Sequence, residues 1–225
     1  MFGKLKDRIR DRIDSNIAKK RKKYMKKDIE RLKNKDFSLI SNNCNGGVLL
    51  HDLGLRFNSQ FVNLAIYAED YIKYLERFDY YNSLGLKFVK DPGPHPIGIL
   101  DDVTIHFVHY KNNEEARTKW EERKKRINKN NLFVIFTEQH VPEENCTEEL
   151  LKRFDALEFK NKVVFTCKKR DYIKSSVYVK EFRNDPKGVN MFLSFKHRLS
   201  YKRKFDVFDF VSWFNGETDL KKLIK

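Results

Sequence analysis

Long apolar runs are missing from this chain of 225 residues. None exceeds a few residues, against the roughly 20 that a bilayer-spanning helix needs, so a helical membrane protein is excluded. The opening Met1-Phe-Gly-Lys lacks the apolar stretch of a secretory leader, and the expected location is the cytoplasm. Cysteine is scarce: Cys44, Cys146 and Cys167 are odd in number and widely spaced, which excludes a disulfide framework and a CxxC metal knuckle. The six histidines stand without ligand spacing, and no metal is expected. Neither a Walker A sequence nor a Gly-x-Gly-x-x-Gly turn occurs, so ATP hydrolysis and Rossmann redox chemistry lose their usual support. No internal repeat and no low-complexity linker interrupts the chain.

What is present suits a folded core. Hydrophobic residues make up 40% and aromatics 14%, with 19 Phe and 10 Tyr, enough for one substantial domain plus an extension. The formal charge of +15 is unevenly spread: residues 1–34 carry 14 Lys/Arg against 5 Asp/Glu. Within them Leu5, Ile9, Ile13 and Ile17 recur every four residues, followed by Tyr24, Ile29 and Leu32, which predicts a helix with a thin apolar stripe over 1–35. Such a helix suits an anionic membrane surface, each cation being worth about 1 kcal/mol there. The plainer reading is a solvated helix laid on the domain or on a second subunit, giving a homo-oligomer. Nucleic acid is disfavoured, because no RNP, zinc-finger or helix-turn-helix pattern accompanies the charge.

Residues 36–225 read as a single α/β domain. Phe37–Ser41, Leu132–Thr137 and Lys162–Thr166 are short, near-continuous apolar strands, the signature of a parallel sheet covered on both faces. Helices are expected over Asn63–Tyr81, from a cap at Asn112 or Asn113 to about Asn128, and over Thr147–Phe154. A hairpin-rich section lies between, with Asp91–Pro96 barred from helix by three prolines and Val103–Tyr110 alternating as a strand. Val177–Phe182 and Met191–Phe195 are further strand candidates, and Asp206–Phe214 reads as a closing helix stopped at Asn215-Gly216.

The chemistry concentrates where the first strand stops, at Asn42-Asn43-Cys44-Asn45-Gly46-Gly47. Ligands of open α/β sheets collect beyond the carboxyl ends of strands, and glycines there admit a phosphate or carboxylate that a Cβ would block. Asn42 and Asn43 offer donors and acceptors to sugar or ribose hydroxyls, or simply form a tight turn. Cys44 at a helix start, with Gly46 supplying a backbone N–H and His109 as base, would make an acyl-transfer nucleophile. The alternative is a small buried hydrophobe. On the Asn112–Asn128 helix, Trp120, Arg123 and Arg126 stand three apart, an arrangement able to stack a base or sugar and hold a pyrophosphate. A core Trp120 beside solvated charges is the competing reading.

Several blocks also carry a resemblance. Ser41-Asn-Asn-Cys-x-Gly-Gly, Leu55-x-Phe-x-Ser59, Phe61-Val-Asn-Leu64, Pro96-x-Gly98, Ile105-His-Phe-x-His-Tyr110, Lys119-Trp-x-x-Arg-x-x-Arg-Ile-Asn128, Asn131-Leu-Phe-Val134 and Asn161-Lys-Val-Val-Phe-Thr166 resemble the uncharacterised family labelled exopolysaccharide or capsular polysaccharide biosynthesis protein. The likeness spans about residues 36–215, with Gln60 where the family tends to have Pro, and leaves the basic helix outside. It implies a Rossmann-like three-layer sandwich and a part in building bacterial surface polysaccharide, and supplies no catalytic residues. The expectation is a transferase taking a glycosyl group from a nucleotide sugar, with no resident cofactor, at the inner membrane face, on a sugar-nucleotide or lipid-linked glycan. A Cys44/His109 acyl-type enzyme and a non-catalytic assembly protein are the alternatives.

Overall fold

A computed structural model of the chain describes residues 2–138, 146–180 and 195–225, without the side chains of residues 2–6 and 9. Its centre is a four-stranded parallel sheet in the order β1 (Ser38–Ser41), β5 (Leu132–Thr137), β6 (Asn161–Thr166), β7 (Ser176–Tyr178). The register runs Ser38 to Leu132, Phe133 to Asn161 and Val164 to Ser176. Because side chains alternate across a strand, each strand feeds two cores. Ile40, Val134, Phe136 and Val164 face one layer, whereas Leu39, Phe133, Ile135, Val163 and Phe165 face the other. Burying each such side chain stabilises the fold by about 1.5–3 kcal/mol, and burial on both faces is why these strands read as unbroken apolar runs.

The first layer holds α3 (Ala68–Glu76), α4 (Phe78–Ser83), α5 (Asn113–Lys124) and α6 (Glu148–Ala156), together with an antiparallel sheet of β2 (Lys87–Phe88), β3 (Ile97–Leu100) and β4 (Val103–His106). Their starts follow from capping chemistry. The Asn112 side chain accepts from the Glu115 N–H at 2.9 Å, and Thr147 Oγ1 accepts from the Leu150 N–H at 3.2 Å. The second layer holds α1 (Phe2–Arg31), α2 (Asn45–Asp52) and α7 (Phe210–Phe214).

Three expectations are corrected. Val103–Tyr110 is strand only as far as His106 and belongs to the antiparallel sheet, pairing with β3. The helix expected over Asn63–Tyr81 starts at Ala68, since Asn63 adopts φ 61 and Ala65 bonds reciprocally with His106; it then breaks at Arg77 into α3 and α4. The closing helix is divided into a 3-10 turn, Lys204–Val207, and α7, because Phe208 is extended. Residues 181, 182 and 191–194 of two expected strands lie outside the described residues, and β7 accounts for the start of the first.

The basic helix forms, but its second half is no separate extension. Arg21, Met25 and Leu32 are buried, while Ile29, expected in the stripe, is exposed. Arg21 donates to Asp52 at 2.8 Å and to Asp206, and Arg203 also reaches Asp52 at 3.3 Å. Before residue 21 the described side chains are exposed, except Ile13 and Ile17, which are partly buried. None of the helices among the described residues is long and apolar enough to cross a membrane.

Candidate functional site

The adjacent strands β1 and β5 send their following helices to opposite faces: α2 packs Leu49 and Leu50 into one core, α6 packs Leu151 and Phe154 into the other. In open α/β sheets such a divergence is where a ligand crevice forms, at the carboxyl ends of the two strands. Asn42, Asn43, Cys44 and Asn45 stand on its β1 side, Thr137 and Glu138 on its β5 side.

The amides there have unequal work. Asn42 acts as an extra rung of the sheet, its Oδ1 accepting from the Thr137 N–H at 3.0 Å and its Nδ2 donating to the Thr137 carbonyl at 3.2 Å. Asn43 Oδ1 accepts from the Ser41 hydroxyl at 3.3 Å and from the Asn45 N–H at 3.0 Å. Neither adopts a left-handed backbone. Asn45 is different. Its Nδ2 reaches across to Thr137 Oγ1 at 3.3 Å, while its buried Oδ1 has no hydrogen-bond partner among the described residues. An amide left so costs about 1–3 kcal/mol and calls for an explanation such as a ligand group.

Beyond Thr137, the fully buried Glu138 ties two strand ends together. It accepts from Arg170 Nη2 at 2.8 Å and from the Cys167 N–H at 2.7 Å. Burial, reinforced by the Glu138 charge, pushes the neighbouring Cys146 thiol up to about 12.

The glycines serve packing. A Cβ on Gly46 would stand 2.9 Å from Ser41 Cβ, and one on Gly47 3.1 Å from Val62 Cγ1, so both let α2 lie close against its neighbours. Gly46 thus has a structural duty that the expectation of an anion-facing glycine did not include.

Cys44 runs opposite to its expected chemistry. Its thiol is partly buried, donates to the Leu64 carbonyl at 3.7 Å, and burial pushes its pKa up to about 11. A thiolate nucleophile needs the reverse shift. His109 is exposed on a turn and shares no described hydrogen bond with Cys44. The histidine that finds a partner is His106, 3.3 Å from His95 at the open end of the β3–β4 hairpin and stacked on Tyr67. Sequence spacing hid that pair, since β3 and β4 must pair before the two rings meet.

Trp120 is buried against Phe61 and Phe107, so the indole is core and stacks no ligand. Arg123 and Arg126 do come together. They line a cleft of about 520 Å3 with His51, Arg56, Phe57 and Lys119. That cleft abuts the carboxyl end of α2, whereas the crevice abuts its amino end, and the eight residues of α2 span about 12 Å. The arginines therefore do not share a wall with Asn42, Asn43 and Gly46. Asn45, Thr137, Arg56 and Lys119 were not singled out by sequence reasoning; Asn45 lay inside the singled-out loop, and only its unpartnered oxygen distinguishes it.

Residues 15–215 match the family model described as "Domain of unknown function (DUF1919)". The chain belongs to this family. A protein of Haemophilus influenzae (strain ATCC 51907 / DSM 11121 / KW20 / Rd), described as "Uncharacterized protein", is 38% identical over 205 residues, covering 91% of this chain and 97% of its own length. The DUF1919 match begins inside α1, where the resemblance was expected to start near residue 36. That earlier start agrees with the burial of Arg21, Met25 and Leu32 in the body of the domain.

Proposed function

We propose that this DUF1919 protein is a transferase of bacterial surface-polysaccharide assembly that takes a glycosyl group from a nucleotide sugar. The observation that carries the reading is the Asn45 amide, buried at the divergence of β1 and β5 with hydrogen-bonding capacity unused. A sugar hydroxyl both donates and accepts, so it satisfies that amide and Thr137 Oγ1 together. The N-terminal end of α2 at the same edge favours a phosphate beside it. The resemblance of the sequence blocks to polysaccharide-biosynthesis proteins suggests the biological setting. A Cys44 acyl-enzyme is disfavoured, because its thiol is held protonated.

Thermal-shift measurements with a panel of nucleotide sugars, acyl-coenzyme A and buffer test the reading. A nucleotide sugar at a hundred times its Kd stabilises the fold by about 2.7 kcal/mol, which raises the midpoint by about 5–10 °C in a chain of this size. A response to acyl-coenzyme A alone would overturn the glycosyl reading in favour of acyl transfer. No response to any of them would leave a non-catalytic assembly protein.

A further inference from the structure

The cleft at the far end of α2 has a chemistry of its own. Arg56, Lys119, Arg123 and Arg126 bring four permanent cations to one concavity of about 520 Å3, against the single carboxylate of Glu122. Glu122 is shared by Lys119 at 3.3 Å and Arg126 at 4.0 Å, and no described carboxylate pairs with Arg56 or Arg123. Such an excess of like charge in a recess is held at a cost that a bound anion relieves.

Two of the four are set in place. Arg123 Nη1 donates to the Tyr110 hydroxyl at 2.7 Å, that hydroxyl donates to the Val62 carbonyl at 2.8 Å, and the guanidinium lies 5.2 Å from the centre of the Phe57 ring. Arg126 Nη1 donates to the Phe57 carbonyl at 3.4 Å. Each guanidinium carries five N–H donors in a fixed fork, and these bonds occupy few of them, leaving edges suited to phosphate oxygens.

We propose that this cleft binds a phosphate- or pyrophosphate-bearing ligand at a site separate from the β1–β5 crevice. The site stands whether or not the chain transfers sugars. In a glycosyl transferase it would hold the phosphate of the acceptor side, leaving the crevice to the donor. One phosphate chemistry has two sources, a soluble anion or a headgroup at a membrane surface.

The test uses the full chain with inorganic pyrophosphate by titration calorimetry, and separately with vesicles of phosphatidylglycerol in phosphatidylcholine by sedimentation. The variant is Arg56→Glu/Lys119→Glu, and Arg56→Gln/Lys119→Gln with an unchanged thermal midpoint separates lost binding from lost folding. Each charge-assisted contact removed should weaken binding on the order of tenfold. Saturable pyrophosphate binding that weakens in both variants supports the site with a soluble ligand. Vesicle binding that weakens in both, without pyrophosphate binding, supports it with a headgroup. Pyrophosphate binding that both variants retain in full, or the lack of any binding that weakens in both variants, overturns the proposal. Retained vesicle binding would place any membrane contact on α1 instead.

Discussion

Replacing Arg21 by methionine should loosen the whole domain, although the residue lies in the stretch that sequence alone assigns to an extension. Its guanidinium serves two carboxylates, Asp52 and Asp206, whose side chains are only 12% and 5% exposed. Removing one partner of a buried ion pair costs about 3–5 kcal/mol, because the remaining charge stays buried. The lower end of that range applies here. Asp52 retains Arg203 Nε at 3.3 Å, and Asp206 retains the Arg203 backbone N–H at 2.6 Å. The ring contacts of Arg21, 5.4 Å from the centre of Tyr24 and 5.6 Å from that of Phe205, are lost as well, adding about 0.5–1 kcal/mol. The expected total is about 3–4 kcal/mol. Urea denaturation followed by circular dichroism reads it as a lower midpoint at unchanged slope. Lys26→Ala serves as the control, since its pair with Glu30 is long at 3.8 Å and exposed, and its midpoint should not move. An Arg21→Met loss below about 1 kcal/mol would refute the buried docking of α1. A reduced slope would show that α1 unfolds apart from the domain.

Three further outcomes follow from the loop after β1. Alkylation of Cys44 by iodoacetamide at pH 8 should be about a hundredfold slower than that of an unshifted thiol; a rate equal to a free cysteine's would refute the upward shift, and a faster one would show an activated nucleophile. The same upward shift favours the folded state below pH 9.0, the ordinary thiol value, and that contribution is lost as pH rises through about 11; Cys44→Ala should flatten the fall in stability across this window. Gly46→Ala brings a methyl to 2.9 Å from Ser41 Cβ. Overpacking of about 1–3 kcal/mol outweighs a helix-propensity gain of at most about 1 kcal/mol, so urea unfolding should show net destabilisation. A more stable alanine variant would mean that α2 can shift off β1.

Much of the scaffold is legible in the sequence because its signals are local. Leu132–Thr137 and the Asn112 and Thr147 caps depend on burial pattern or on residues three apart, and they appear where expected. The helix over Asn63–Tyr81 misleads because its apolar spacing continues through Asn63–Tyr67, where pairing with His106 and Asn42 overrides periodicity. Arg21 misleads more strongly, since a buried arginine looks like a solvated one until Asp206, 185 residues away, is brought beside it. In the candidate site, residue types point to the right loop but not to the right amide. Asn42, Asn43 and Asn45 are equivalent in sequence; only register decides that the first completes the sheet and the last keeps an unused acceptor. Trp120 and Arg123 share α5 and Arg126 follows just past its end, yet the indole turns into the core and the two guanidiniums line the cleft.

The central claim is that the Asn45 amide is kept at the β1–β5 crevice for a ligand hydroxyl. The direct measurement is titration calorimetry of the nucleotide sugar giving the largest thermal shift, on the natural chain and on Asn45→Leu/Thr137→Val, with urea stability measured on both. Replacing a half-satisfied polar pair by apolar groups of similar shape is near-neutral or stabilising, so the variant should be at least as stable while its affinity drops about tenfold or more. Equal affinity in both chains would contradict the account.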